Sequence, residues 1–279
     1  NDSIAGEFLI RDDRADVLPA LFDALVRTVK FDVICLNGFD PASTELQALL
    51  AFARWRRLSP ETEEHACAVV DLRSGYDSYW ATRTGNTRRK IAQRERKIEA
   101  MGAVVDGVLP SETRSDIEVR IRRMIAINEA SYKLQGQRLA DPHRGFLTAL
   151  SRRFAARDML SLPILSIGGR DAAFILAIVE RGCFYDVSLA YDESFAALGP
   201  GICLMQRTLR ALAEAHVDSV FSHGAHEYKR HWATAFIPQT RLFLFPGRPL
   251  AVAARLVRRG ADLVRSARRA SQGSLHDPP

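Results

Sequence analysis

What this 279-residue chain lacks narrows its possible roles first. Its longest apolar run, residues 172–179, has the length of a strand, far short of the roughly 20 apolar residues a membrane-spanning helix needs. Its four cysteines, Cys35, Cys67, Cys183 and Cys203, are too scattered for a zinc site or a disulfide framework. Free thiols in apolar surroundings, in a reducing cytoplasm, are therefore expected. A lowered thiol pKa at a helix start is the alternative for Cys203. No internal repeat, low-complexity tract or coiled-coil insertion interrupts the chain. Excess charge is also small, +6 overall, and residues 247–279 hold seven arginines against two aspartates. The remainder is nearly balanced, so local basic patches are expected rather than whole-surface attraction to nucleic acid, and DNA is not an expected partner. The first residue is Asn1, with neither a methionine nor a signal-peptide pattern, which reads as a trimmed or processed chain.

What is present is an ordinary globular composition, 47% hydrophobic and 26% charged. Apolar periodicity predicts a helix over 17–26, a strand in "FDVICLNGF", a helix over 44–55 and a strand over 66–72. After the segment 76–101 come a strand in "GAVVDGV", a helix over 110–132 with Thr113 and Asp116 as a capping box, and a helix over 146–155. Glycine turns then separate three apolar runs, 162–167, 173–179 and 183–190, as in a meander. "RLFLF" reads as a closing strand, 250–267 as a last helix and "SQGSLHDPP" as a disordered tail.

Two stretches carry chemistry. Between Arg83 and Lys97 lie seven basic residues and one acid, with Ile91, Ile98 and Met101 as an opposing apolar stripe. Arg88, Arg89 and Lys90 open this helix beside "TGN", where guanidinium forks can grip a phosphorylated acceptor; a merely solvated charged face is the alternative. The second stretch, 183–232, reads as strand, "LGPG" turn, helix, strand and the polar cluster "HGAHEYKRHW". Pro200 lacks an N–H and Gly201 allows close approach, so first-turn amides can face an anion such as a pyrophosphate.

The tyrosines of "FYDVSLAY", the "GPG" of residues 199–201 and the ending formed by Gly224, Tyr228, Lys229 and Trp232 resemble the GNAT N-acyltransferase superfamily. Within it they are most similar to the CelD/BcsL-like acetyltransferases of polysaccharide biosynthesis, relatives of the FemAB peptidoglycan aminoacyl transferases. The similarity extends from about Phe31 to Phe245. It implies an α/β fold of GNAT type, a mixed and mostly antiparallel sheet flanked by helices, in a truncated tandem arrangement. Residues 1–73 would be the remainder of a first unit, 74–246 the acyltransferase domain and 247–279 a basic helix and tail. The implied activity is acyl transfer from acyl-CoA, acetyl-CoA by family default, to an amine or hydroxyl of a sugar, polysaccharide precursor or small metabolite, without a metal.

The donor would lie along Ser188, Leu189 and Ala190 and against Leu198, Gly199, Gly201 and Ile202. Tyr228 takes the place of the tyrosine that protonates the thiolate. Lys229 polarises the carbonyl, neutralises a phosphate or braces the sheet edge. His226 is the preferred base, ahead of Glu227 and His223, with His223 also placed among the acceptor contacts beside Arg88, Arg89 and Lys90. Trp232 reads as core. Two other readings stay open: a FemAB-type enzyme using aminoacyl-tRNA, and a non-catalytic GNAT-fold module in an exopolysaccharide system. The expected location is the cytoplasm, with the basic face of the last helix as a contact to anionic membrane.

Overall fold

Short apolar periods set the elements in the computed structural model, which describes residues 17–131, 134 and 137–273, with side chains as far as 261. Helix α1 (Val17–Thr28), strand β1 (Ile34–Phe39), helix α2 (Thr44–Trp55) and strand β2 (Ser59–Asp71) come first. Helices α3 (Gly75–Ala81) and α4 (Gly85–Ala100), strand β3 (Val104–Asp106) and helices α5 (Pro110–Thr113), α6 (Ile117–Glu129) and α7 (Asp141–Ala155) follow. The meander is β4 (Leu160–Ser161), β5 (Ile164–Ile167), β6 (Arg170–Glu180) and β7 (Cys183–Tyr191). A 3₁₀ turn, Glu193–Leu198, leads to α8 (Pro200–Glu214) and β8 (Ser219–His223). A second, Glu227–His231, leads to β9 (Ala235–Phe245) and α9 (Pro249–Gly273). The opening "EFLIRDD", Tyr132, Lys133, Gln135 and Gly136 of a stretch expected to be a polar loop, and positions 274–279 of the expected disordered tail lie outside the described residues.

The contacts divide the chain into two units: residues up to His65 together with those from Pro238 onward, and Ala66–Ile237. Strands β2 and β9 run from one into the other. In the first unit β9 lies between β1 and β2. Leu18, Phe22, Leu46, Leu49, Phe52, Leu242 and Leu244 form its core. The acidic residues 59–65, read from sequence as lying outside any strand, are the first half of β2. Arginines of α9 compensate their charge: Arg255 pairs with Glu61 at 2.7 Å and Arg258 with Glu63 at 2.9 Å. The C-terminal helix thus packs within this unit, and the helix includes Ser271–Gly273.

The second unit holds the sheet order β2, β8, β7, β6, β5, β3, with β4 beside β6. Every pairing given for it is antiparallel except β7 with β8. The side-chain period of two divides its core. Ala173, Ile175 and Ala177 of β6 join Leu204, Leu209 and Leu212 of α8. Phe174 and Leu176 join Met124 of α6 and Leu147 of α7. This is the mixed, mostly antiparallel sheet flanked by helices that the sequence implied.

Three local readings are corrected. The helix expected over 110–132 is broken between α5 and α6. Its Thr113–Asp116 capping box does not form because the buried Thr113 hydroxyl donates to the Gly107 and Leu109 carbonyls; Glu112 caps the Leu109 amide instead. The stretch 76–101 is also two helices, the second capped by Thr84, and Met101 leaves its apolar stripe and is exposed. Of the cysteines expected to be buried, Cys67 and Cys203 are, whereas Cys35 faces solvent on β1 and Cys183 is half-buried.

Candidate active site

The site begins with a defect in β7. Leu176 of β6 pairs with Ser188 but Ala177 pairs with Asp186, so Val187 is one residue too many. A bulge of this kind bends its strand and interrupts pairing. The parallel register between β7 and β8 runs from Cys183 opposite Ser219 to Asp186 opposite Ser222. Beyond that point the strands part, with Ser188, Leu189 and Tyr191 on one arm and His223 and the "HGAHEYK" segment on the other.

Two cavities open along the parting. One, of about 600 Å³, is lined by Arg94, Leu189, Tyr191, Gly199, Gly201, Ile202, His226, Tyr228 and Trp232, among others. The other, of about 390 Å³, is lined by Asn128, His143, Asp186, Ser188, Leu189, Ser222, His223, His226, Tyr228 and Lys229, among others. Leu189, His226 and Tyr228 belong to both. The His226 and Tyr228 rings lie nearly parallel, 13° apart, with centroids 6.0 Å from each other. Gly224 permits this arrangement: its φ is +85°, and a Cβ there would stand 3.2 Å from His226 Nε2.

The segment bearing Tyr228 is pinned behind. The Tyr79 hydroxyl donates to the Trp232 carbonyl at 3.0 Å, and burial pushes that phenol's pKa upward. Arg83 donates to the Ala233 carbonyl, and the Thr234 amide donates to Val69 O at 2.7 Å. Trp232 is core, as expected, while one edge lines the larger cavity.

Lys229 is only 3% exposed. Its ammonium donates to Ser222 Oγ at 2.7 Å and to the His223 carbonyl, and the Ser222 hydroxyl donates to Asp186 Oδ2 at 2.5 Å. Of the roles open to Lys229, this geometry fits bracing: it ties the second 3₁₀ turn to the last paired residues of β7 and β8. Asp186 and Ser222 were not singled out from sequence. The tyrosine-flanked "YD" of β7 is their only trace, and it says nothing of the partner strand.

At the start of α8, Gly199 is left-handed, with φ +64°. Its amide donates to Ala196 O, and the Ile202 amide turns back on Gly199 O. Of the Gly199, Gly201 and Ile202 amides, only that of Gly201 is not committed to such a bond. A cation stands there as well: a Cβ built on Gly199 would lie 3.1 Å from Arg94 Cδ and Nε. Arg207 of α8 fixes the position of α4, holding Glu95 at 2.9 Å and Glu99 at 2.5 Å.

Other expected residues lie elsewhere. Arg88, Arg89 and Lys90 are exposed and line neither cavity. Arg89 donates to Asn86 Oδ1 at 3.0 Å. Arg94, one turn on, is the residue of that helix which lines the larger of these two cavities. Glu227 is exposed and paired with Arg230, Ala190 is core, and Leu198 packs against the core without lining either cavity. Burial, and then the Glu95 carboxylate, push the Cys203 thiol up to about 12, which removes the thiolate a nucleophile would need. Among the described residues no cluster of His, Cys, Asp or Glu side chains fits a metal ion, and no helix is long and apolar enough to cross a membrane.

The family model for an acetyltransferase (GNAT) domain matches residues 85–230, the segment from α4 to the turn bearing Tyr228. The chain belongs to the GNAT acetyltransferase-domain family. No curated protein matches this GNAT chain in sequence. Solved structures share its fold. FemX is 10% identical, covering 88% of this chain and 81% of its own, with a TM-score of 0.58. A conserved Bacteroides thetaiotaomicron protein of unknown function is 14% identical, over 83% and 75%, at 0.53. The C-terminal domain of an Agrobacterium fabrum protein described as a lysylphosphatidylglycerol synthetase is 13% identical, over 74% and 67%, at 0.50. At such identities the likeness is one of fold, and the GNAT site is argued from its own residues.

Proposed function

We propose that this GNAT protein transfers an acyl group, acetyl in the simplest case, from acyl-CoA to an amine or hydroxyl acceptor by direct attack. The observation that carries the reading is the pair of cavities meeting at Leu189, His226 and Tyr228. The larger would hold the donor, with Arg94 and the Gly201 amide at its phosphates and its pantetheine arm along Leu189 and Tyr191. The smaller would hold the acceptor beside His223, Ser188 and His143. This puts the thioester where the cavities join. The acceptor nitrogen or oxygen attacks the thioester carbonyl, the new C–N or C–O bond forms, and the C–S bond breaks. His226, reaching the acceptor side, takes the acceptor's proton; the Tyr228 hydroxyl gives its own to the departing thiolate. A sugar or polysaccharide precursor is the acceptor class suggested by the CelD/BcsL-like resemblance.

Calorimetric titration with acetyl-CoA, longer acyl-CoAs and free CoA tests this, on the wild type and on Gly201→Trp. A Cβ at Gly201 already lies 3.1 Å from Leu189 Cδ2, so an indole there would fill the larger cavity. Saturable binding that is lost in the variant is expected. A folded wild type that binds no CoA species would sink the reading and favour aminoacyl-tRNA as donor or a module without turnover.

A further inference from the structure

Helix α9 is packed the wrong way round for a surface helix. Over 249–261 its inward positions are Ala251, Arg255 and Arg258. Arg255 and Arg258 spend their charge on Glu61 and Glu63, and the Arg258 guanidinium also covers the Phe243 ring at 3.6 Å. At 3.6 residues per turn, the outward positions run from Val252 through Leu256, Ala253 and Val257 to Leu250 and Ala254, roughly half the circumference. Not one of them is polar. Leu250 is 68% exposed, Leu256 64% and Val257 73%. Arg259, 56% exposed at its side chain, stands at the edge of this arc while still reaching Glu61 at 2.5 Å. Such a continuous apolar face is uncommon on a protein surface without an occupant.

We propose that the occupant is an anionic lipid bilayer, with α9 lying in its plane, the Leu250–Leu256–Val257 face dipped among the acyl chains and flanking arginines at the phosphates. Charge decides between this and a second copy of the chain. Besides Arg255, Arg258 and Arg259, which are paired with Glu61 and Glu63, residues 247–279 hold four more arginines against two aspartates, in a chain of net +6. Two copies joined face to face would set these like charges side by side, whereas a bilayer of anionic headgroups attracts them. It is the apolar face, not the basic one, that makes the contact, because the basic face is occupied by Glu61 and Glu63.

The test is flotation of the full chain with vesicles of phosphatidylcholine alone and of phosphatidylcholine with phosphatidylglycerol, at low and high salt. Expected is binding to the anionic vesicles, weakened by salt and reduced about a hundredfold in Leu256→Glu/Val257→Glu, since each apolar side chain withheld from the acyl region removes roughly a factor of ten. Both side chains are exposed, so the variant should keep the wild-type circular dichroism and melting temperature. Ala253→Glu, on the same arc, gives an independent variant. Absence of vesicle binding in a folded wild type overturns the proposal. So does a wild-type dimer in light scattering that either variant dissociates, which would assign the face to a second copy.

Discussion

Replacing Tyr228 by phenylalanine removes one oxygen at the junction of the cavities and nothing from the packing behind it. Turnover should fall about a hundredfold or more, the usual scale for losing a positioned acid, while acetyl-CoA still binds with wild-type affinity in calorimetry. Lys229→Met should behave in the opposite way. It leaves the buried Asp186–Ser222 pair without the ammonium that donates to Ser222, and breaking a buried charged network costs about 3–5 kcal/mol. Urea denaturation would show it, with part of the loss recovered in Lys229→Met/Asp186→Asn. Sequence alone singles out the "YK" pair but not the hydrogen-bond network behind Lys229. Asp186 and Ser222 are 36 residues apart, and only the parallel pairing of β7 with β8 brings them together. The base candidates separated for a similar reason. Two residues on from Glu227, a buried lysine fixes the turn, which sends Glu227 to solvent and leaves His226 at the cavities.

Elements were legible where one local period dominated and less so where a distant partner decided. The three long strands of the glycine-punctuated meander and the "GPG" helix follow from sequence to within about three residues, whereas the short β4 does not. The first half of β2 does not, because Glu61 and Glu63 suit a strand only once α9 supplies arginines. Strands β3, β5 and β6 meet α6 through a comparable network: Arg123 holds Asp106 at 3.1 Å and Asp171 at 2.8 Å, and Ser166 donates to Asp171. The Arg123 hydrogen bond is the chief cause holding the Asp171 carboxyl below its ordinary range. A depressed folded-state pKa stabilises above the unfolded value, near 3.9, and that stabilisation disappears as pH falls through the folded value. Asp171→Asn should therefore unfold at lower urea than the wild type at pH 7, and the gap between their midpoints should close as pH drops from about 5 to about 2. An unchanging gap would mean that this carboxylate contributes through shape alone.

For the whole molecule, both cavities are built from residues of the second unit, 66–237. Hydrogen exchange with and without saturating acetyl-CoA should show protection around 187–202 and 223–232 and none in α1, α2 or β1. Protection spread evenly over the chain would contradict a donor held at the parting of β7 and β8. The two-unit division was only partly legible. The sequence marks its elements in order but carries no sign that the last helix returns to the acids of β2, because that attraction acts between residues some 195 positions apart. The same discontinuity has a consequence during synthesis. The chain segment bearing α1, β1 and α2 leaves the ribosome well before β9, yet Phe39 waits for Thr240 as its partner. At 5–20 residues per second the wait is about 10–40 s, long enough for 66–237 to close on itself. Until then Leu18, Phe22, Leu49 and Phe52 lack the cover of Leu242 and Leu244 of β9, which complete their cluster, so this earlier-made segment is the one to rely on a chaperone.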